Sequence, residues 1–283
     1  FQYLPPFPRR QNPSNSSLIF HPSYFQRMQL IACQFDIQWE NREANFDTIR
    51  RLLADANIQS GALIVLPEMF SSGFSMNVDR IAEDNPSQTE SFLSEIAQQH
   101  ESWVLGGLVY RLNDGNGSNE LSVFGPKGQR IGHYQKNHCF SYTGESDHYE
   151  AGEDILLFDW HGFTVCPTIC YDLRFPELFR RGVKAGANLF PVIANWPDTR
   201  LHHWSTLLKA RAIENQAYVI GVNRTGGDPT FNYPGYSAII DPHGNEIALA
   251  DNTESCIAYE ISLETVTEWR EEFHALDDIK GCH

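Results

Sequence analysis

From Met28 onward, short apolar runs alternate with segments whose apolar residues recur at helical spacing. This alternation narrows the fold more than any other feature of the chain. Gln29 to Phe35 predicts a buried strand. Glu43 to Asn57 places Phe46, Ile49, Leu52, Leu53 and Ala56 on one helical face, and Gly61 to Pro67 predicts a second apolar strand. A helix over Thr89 to Gln99 and a strand over Trp103 to Tyr110 follow. Leu121 to Phe124 and Arg130 to Gln135 flank Gly125-Pro126-Lys127-Gly128, which is a hairpin signal. The cycle then repeats. Strands are predicted over Ile155 to Asp159 and Phe163 to Ile169, a helix over Pro176 to Ala185 and a strand over Asn188 to Ile193. A helix over His203 to Asn215 and a strand over Ala217 to Asn223 come next. Short strands at Tyr236 to Ile240, Glu246 to Leu249 and Cys256 to Ile261 close the body. Strands and helices interleaved in this way define an α/β protein with layered sheets. The run Gly61-Ala62-Leu63-Ile64-Val65-Leu66-Pro67 is echoed by Gly186-Ala187-Asn188-Leu189-Phe190-Pro191, and a helical segment precedes each, so the chain reads as two similar halves.

Charge and composition exclude several functions. The 283 residues carry 36 acidic and 21 basic side chains, a net charge of -15. A surface so negative repels phosphate backbones, so no nucleic-acid partner is expected. No apolar run approaches the roughly 20 residues that span a bilayer, so no membrane association is expected. No glycine-rich phosphate loop follows a strand, which leaves nucleotide cofactors without support. The cysteines Cys33, Cys139, Cys166, Cys170, Cys256 and Cys282 are scattered with no CxxC pair, an arrangement suited to free thiols and a cytoplasmic location rather than to a disulfide framework or a metal site. Residues 1–27 differ from the rest. They hold five prolines and three arginines and no acid, and are expected to be a poorly structured extension ahead of one domain over 28–283.

Three positions could carry chemistry. Cys170 ends the apolar strand Phe163 to Ile169 and precedes a helix near Pro176, where backbone N–H groups can stabilise a thiolate or an oxyanion. Glu68 directly follows the strand Leu63 to Leu66, at a sheet edge where α/β active sites gather. Lys136 follows Arg130 to Gln135 and is one of five lysines. Each alone has a plainer reading, as a core thiol, a loop acid and a solvated cation.

Their flanking sequences change that balance. Leu-Pro-Glu68, Tyr-Gln-Lys136 and Ile-Cys170-Tyr-Asp-Leu-Arg-Phe-Pro-Glu, in that order, resemble the nitrilase superfamily of carbon–nitrogen hydrolases from about Met28 to Phe273. The segments Pro67 to Met76, Ala194-Asn195-Trp196-Pro197, His203-Trp204, Ala210 to Val219 and Asn223-Arg224 resemble the omega-amidase branch. The resemblance implies a four-layer α-β-β-α sandwich whose members usually pair into eight-layer homodimers, and it implies no metal or other cofactor. It further implies a small-molecule amide substrate, 2-oxoglutaramate or 2-oxosuccinamate, cleaved through a cysteine thioester. Carried onto this chain, it makes Cys170 the nucleophile, Glu68 the general acid and base, and Lys136 with the Tyr171 N–H the oxyanion donors. Glu145 becomes a second carboxylate orienting Lys136, although Asp147 is close by. Phe74 and Trp196 are expected to wall the pocket. Arg174, Arg200 and Arg224 are candidates for the substrate carboxylate, with Arg174 nearest Cys170 and alternatively a partner of Asp172. The alternatives are another branch of the superfamily (an N-carbamoyl amide hydrolase, an aliphatic amidase or a nitrilase) or a non-catalytic member.

Overall fold

A computed structural model describes residues 27–280. The expectation for residues 1–27 therefore lies outside the described residues except at Arg27, and so does Cys282. Along the first half run β1 (Arg27–Gln34), α1 (Arg42–Asp55), β2 (Leu63–Val65), α2 (Val78–Ile81), α3 (Gln88–Gln99), β3 (Trp103–Arg111), β4 (Gly117–Phe124), β5 (Arg130–Gln135) and β6 (Tyr149–Glu150). The second half adds β7 (Phe158–Trp160), β8 (Phe163–Val165), β9 (Thr168–Ile169), α4 (Pro176–Lys184), β10 (Leu189–Ala194), α5 (Leu201–Asn215) and β11 (Tyr218–Asn223). After them come β12 (Thr225–Gly227), β13 (Asn232–Pro234), β14 (Ala238–Ile240), β15 (Glu246–Leu249), β16 (Ser255–Ser262) and α6 (Leu263–Glu272).

Two sheets form. The first has the order β16-β1-β2-β3-β4-β5 with β6 beside β4; the second has the order β15-β14-β11-β10-β8-β7 with β9 beside β10. The echoed runs occupy equivalent inner places. β2 lies parallel between β1 and β3, and β10 lies parallel to β8, β9 and β11.

Alternation along each strand explains the layering. On β1, Leu30 and Ala32 face the second sheet, whereas Ile31 and Cys33 face α1 and α3. The helices supply Ile49, Leu53, Leu93 and Ile96 to that outer layer, where the rings of Phe46 and Phe92 stack 4.1 Å apart. Burial of each such side chain contributes about 1.5–3 kcal/mol. On the far side, Leu178 and Phe179 of α4 and Trp204, Leu208 and Ala212 of α5 cover the second sheet. The result is the expected four-layer α-β-β-α sandwich.

Local chemistry sets the boundaries. Asn41 caps α1 through Ala44 N, Ser87 caps α3 through Glu90 N, and Pro176 occupies the first turn of α4. The strand expected over Phe163 to Ile169 is instead two short strands, because Pro167 has no N–H for the ladder. The strand expected from Leu121 begins earlier, at Gly117, and is buried throughout despite Ser118, Asn119 and Glu120. Among the described residues, no helix is long and apolar enough to cross a membrane.

Candidate active site

The three residues singled out by sequence meet at the seam between the sheets. Glu68 leaves the end of β2 in a tight turn: Leu66 N bonds Leu105 O, Gly107 N bonds Pro67 O, and Met69 takes a positive φ of 43°. Gly107 on β3 makes room for this turn, since a Cβ there would stand 2.6 Å from Met69 N and 2.7 Å from the Glu68 Cα. Lys136 follows β5, pinned by its N–H to Asn119 O at 2.9 Å. Cys170 follows β9 and opens a 3₁₀ turn, Cys170–Arg174, with φ at 47°. A left-handed cysteine is strained, and such strain persists only where the surroundings over-determine it. Here Asp172 does so. Its carboxylate accepts from Ile169 N (3.0 Å), Tyr134 OH (2.7 Å), and the backbone N–H of His138 (3.0 Å), with His138 Nδ1 at 2.8 Å. It thereby ties the cysteine turn to the segment bearing Lys136.

Glu68, Lys136 and Glu145 are fully buried. Lys136 Nζ donates to Glu68 Oε1, Glu145 Oε1 and Glu145 Oε2, each at 2.9 Å. An ammonium has three protons, and all three point at carboxylates. Lys136 can therefore reach an incoming oxyanion only by releasing one bond, and the doubled contact to Glu145 is the one it can lose while staying paired. Glu145 also accepts from the Phe140 N–H and from Asn119 Nδ2. Asp147, its competitor in the sequence, is exposed.

Two asparagines complete the cluster, and sequence reasoning missed both. Asn119 Nδ2 bridges Glu68 Oε1 at 2.8 Å and Glu145 Oε1 at 2.9 Å. Asn195, just past β10, donates its N–H to Glu68 Oε2 and its Nδ2 to Glu68 O, both at 2.8 Å. The available signal was a polar Ser-Asn-Glu run inside a strand and an asparagine at a strand end.

Electrostatics follow from this packing. Burial alone would raise the Glu68 carboxyl, but Lys136, Asn119 and Asn195 together hold it below the ordinary carboxylate range. Burial would lower Lys136, yet Glu145 and Glu68 keep it well above the usual lysine value. Burial, then Glu68 and Glu145, push the Cys170 thiol well above the usual cysteine value, against the opposing pull of Lys136. Desolvation and the two carboxylates therefore work against the thiolate expected at the strand end, while the single ammonium favours it.

A narrow cleft, partly open to solvent, reaches Cys170. Phe74, Tyr171, Arg174, Trp196 and Arg200 all line it. Phe74 lies beneath Lys136, with Nζ 5.3 Å from the ring centroid. Arg174 is not the partner of Asp172. Its guanidinium stands over Trp196 (4.9 Å) and Tyr171 (5.7 Å), with Nη2 3.2 Å from His203 Nδ1, and Asp172 is already saturated. Arg224 does not line the cleft. It is fully buried, bonded to Asp36 Oδ1 at 2.8 Å and to the carbonyls of Ile37 and Gly227, and stacked on Tyr233.

A thiol, a carboxylate and an ammonium buried together at the joined ends of two sheets define a hydrolase-type site, and the chain belongs to the carbon–nitrogen hydrolase family, whose model matches residues 30–271. Among its relatives, the omega-amidase YafV of Yersinia enterocolitica is 38% identical over 255 residues, covering 89% of this chain and 96% of that protein. The 2-oxoglutaramate amidase of Bacillus subtilis (strain 168) is 34% identical over 252 residues, covering 88% and 97%. The crystal structure of XC1258 from Xanthomonas campestris, a CN-hydrolase superfamily protein, superposes with a TM-score of 0.86 at 32% identity, covering 92% of this chain and 99% of that one.

Proposed function

We propose that the protein is an omega-amidase, hydrolysing the side-chain amide of 2-oxoglutaramate or 2-oxosuccinamate to the 2-oxo dicarboxylic acid and ammonia. The observation that carries this reading is the buried Glu68–Lys136 pair beside Cys170, which itself lines the cleft. The names of the Yersinia and Bacillus relatives support the substrate class.

In the proposed route, Glu68 takes the Cys170 proton as the sulfur attacks the amide carbon. The raised thiol and the ionised Glu68 suit proton transfer on demand, with substrate in place, rather than a standing thiolate. The oxyanion is held by the Tyr171 N–H and by Lys136, which exchanges one of its two Glu145 contacts for the new oxygen. Removing a donor of this kind typically lowers turnover by about 10²–10³. Glu68 then returns its proton to the departing ammonia, leaving a thioester. Water attacks the thioester carbon as Glu68 accepts its proton, and collapse restores the thiol and frees the acid. Glu145 keeps Lys136 oriented throughout. Phe74 and Trp196 wall the cleft, and Arg174 contributes positive charge beside it.

The likeness to this family also supports a homodimer of eight layers, and the scattered free thiols a cytoplasmic location, with residues 1–27 an extension to a single hydrolase domain. Light scattering on the purified protein tests the dimer. Ammonia release across 2-oxoglutaramate, 2-oxosuccinamate, aliphatic nitriles and N-carbamoyl amino acids tests the activity. Turnover of the nitriles or carbamoyl compounds alone refutes the omega-amidase reading.

A further inference from the structure

We infer that Arg200 is the anion anchor of the cleft, taking a carboxylate at the end of the substrate opposite the scissile amide. This rests on the amidase reading above and deepens it, because that reading leaves the carboxylate-binding group unassigned.

The charge pattern first draws attention to this arginine. Among the described residues, nine arginines have an acidic side chain within 4.0 Å. Arg174 and Arg200, both on the cleft that holds Cys170, have none, although acids outnumber bases in the chain. Two cations left without carboxylates on one small cavity make it a place that attracts an anion.

The two are not equivalent. Arg174 has Nη2 directed to His203 Nδ1, and its planar faces lie against Trp196 and Tyr171. Arg200 lies near Phe140 (5.3 Å) and Tyr142 (5.6 Å), but its Nη2 is shielded from solvent and has no hydrogen-bond partner among the described residues. A buried charged donor left unsatisfied is unfavourable, and a ligand oxygen that meets it relieves the penalty. The two neighbouring rings restrict the guanidinium and so pre-orient the free edge. Its backbone supports the same placement, since Arg200 O accepts from Trp196 Nε1 at 2.8 Å and so joins it to the cleft wall. Helix α5 starts at the next residue with no side-chain cap and no acid in its first turn, so its N-terminal N–H groups add partial positive charge there, with Asp198 two residues before Arg200 as the nearest acid in sequence.

The ligand chemistry follows. A planar carboxylate matches the guanidinium edge. Aromatic side chains form much of the remaining wall, suiting a short carbon chain between the carboxylate and the amide delivered to Cys170. Arg200 is thus a specificity residue: it selects amides that carry an acid at the far end over neutral amides of equal length.

The test separates anchoring from turnover. The Cys170→Ala chain, with and without Arg200→Gln, is titrated calorimetrically with glutaramate and with pentanamide, which replaces the carboxylate by a methyl group. Arg200→Gln is expected to weaken glutaramate binding by about 10- to 100-fold, the range for one charge-assisted hydrogen bond, and to leave pentanamide unchanged. Arg200→Lys, which keeps the charge but not the planar edge, should fall between, and thermal melts verify that each variant folds. Equal binding of the two ligands by the Cys170→Ala chain, binding of neither, or an equal loss for both on Arg200→Gln overturns the assignment. So does a comparable loss from Arg174→Gln with none from Arg200→Gln. Ammonia release by the unaltered chain tests the amidase reading separately: tight carboxylate-dependent binding without turnover would refute that reading and leave the anchor standing.

Discussion

Replacing Asn119 by leucine removes one side chain that holds two buried carboxylates of the candidate site in place. Its Nδ2 lies 2.8 Å from Glu68 and 2.9 Å from Glu145, and all three residues are buried, so water does not screen the bonds. Leucine has nearly the same size and leaves no room for a substituting water. Hydrogen bonds to charged groups are each worth about 1.5–3 kcal/mol. Losing two, with Lys136 still pairing both acids, should cost about 3 kcal/mol of stability. For a domain of this size that is a fall of roughly 6–12 °C in Tm. Activity should respond separately. The Asn119 bond is one of the contacts that hold Glu68 below the ordinary carboxylate range, so its loss moves that carboxyl upward. One bond of about 1.4 kcal/mol corresponds to about one pH unit. The acid limb of kcat/KM for ammonia release should therefore shift to higher pH by about one unit, and kcat should fall by about tenfold. An unshifted acid limb together with a Tm within one degree of the original would show that Lys136 alone fixes the two acids, and the reasoning would fail.

The other expectations are simpler. Cys170→Ala should abolish ammonia release while far-UV circular dichroism and cooperative melting persist. Because burial and the two carboxylates push the Cys170 thiol up, alkylation of this cysteine by iodoacetamide, followed by peptide mass spectrometry, should keep accelerating above the pH at which an ordinary thiol levels off; a plateau near neutrality would contradict the protonated resting state. Gly107→Ala should destabilise the fold by about 1–3 kcal/mol and impair turnover, since the added methyl presses on the backbone of Glu68 and Met69; unfolding in urea and steady-state rates measure both. Glu68 is lowered in the folded protein, so its contribution to stability is complete above its ordinary value of 4.5 and is lost as pH falls through the folded value. The Tm of Glu68→Gln should accordingly depend less on pH than that of the parent below 4.5.

Much of this architecture was legible because burial writes periodic patterns. The apolar runs at β2 and β10 and the helical face of Phe46, Ile49 and Leu53 are all present as predicted, with ends displaced by a few residues. Glu68 and Cys170 follow apolar runs and Lys136 a mixed strand, but the three stood out only through their flanking sequences, which resemble the nitrilase superfamily. What periodicity does not record is who bonds to whom. Asn119 sits in a strand whose polar start hides its burial, and its meaning lies in partners 51 and 26 residues away. Asp172 looked like a local partner for Arg174, whereas it reaches back to His138 and Tyr134. Arg174, Arg200 and Arg224 share one composition and differ only in their neighbours.

Glu68 and Lys136 hang from one sheet, Cys170 and Asn195 from the other, and the bonds joining Glu68 to Asn195 cross the boundary. Neither half owns a working centre. A slip of an ångström between the two slabs, too slight to disturb either ladder of strands, would part acid from sulfur. Catalysis should therefore vanish under mild denaturant before the spectroscopic signature of the backbone does, and turnover becomes the most sensitive gauge of how the halves are seated.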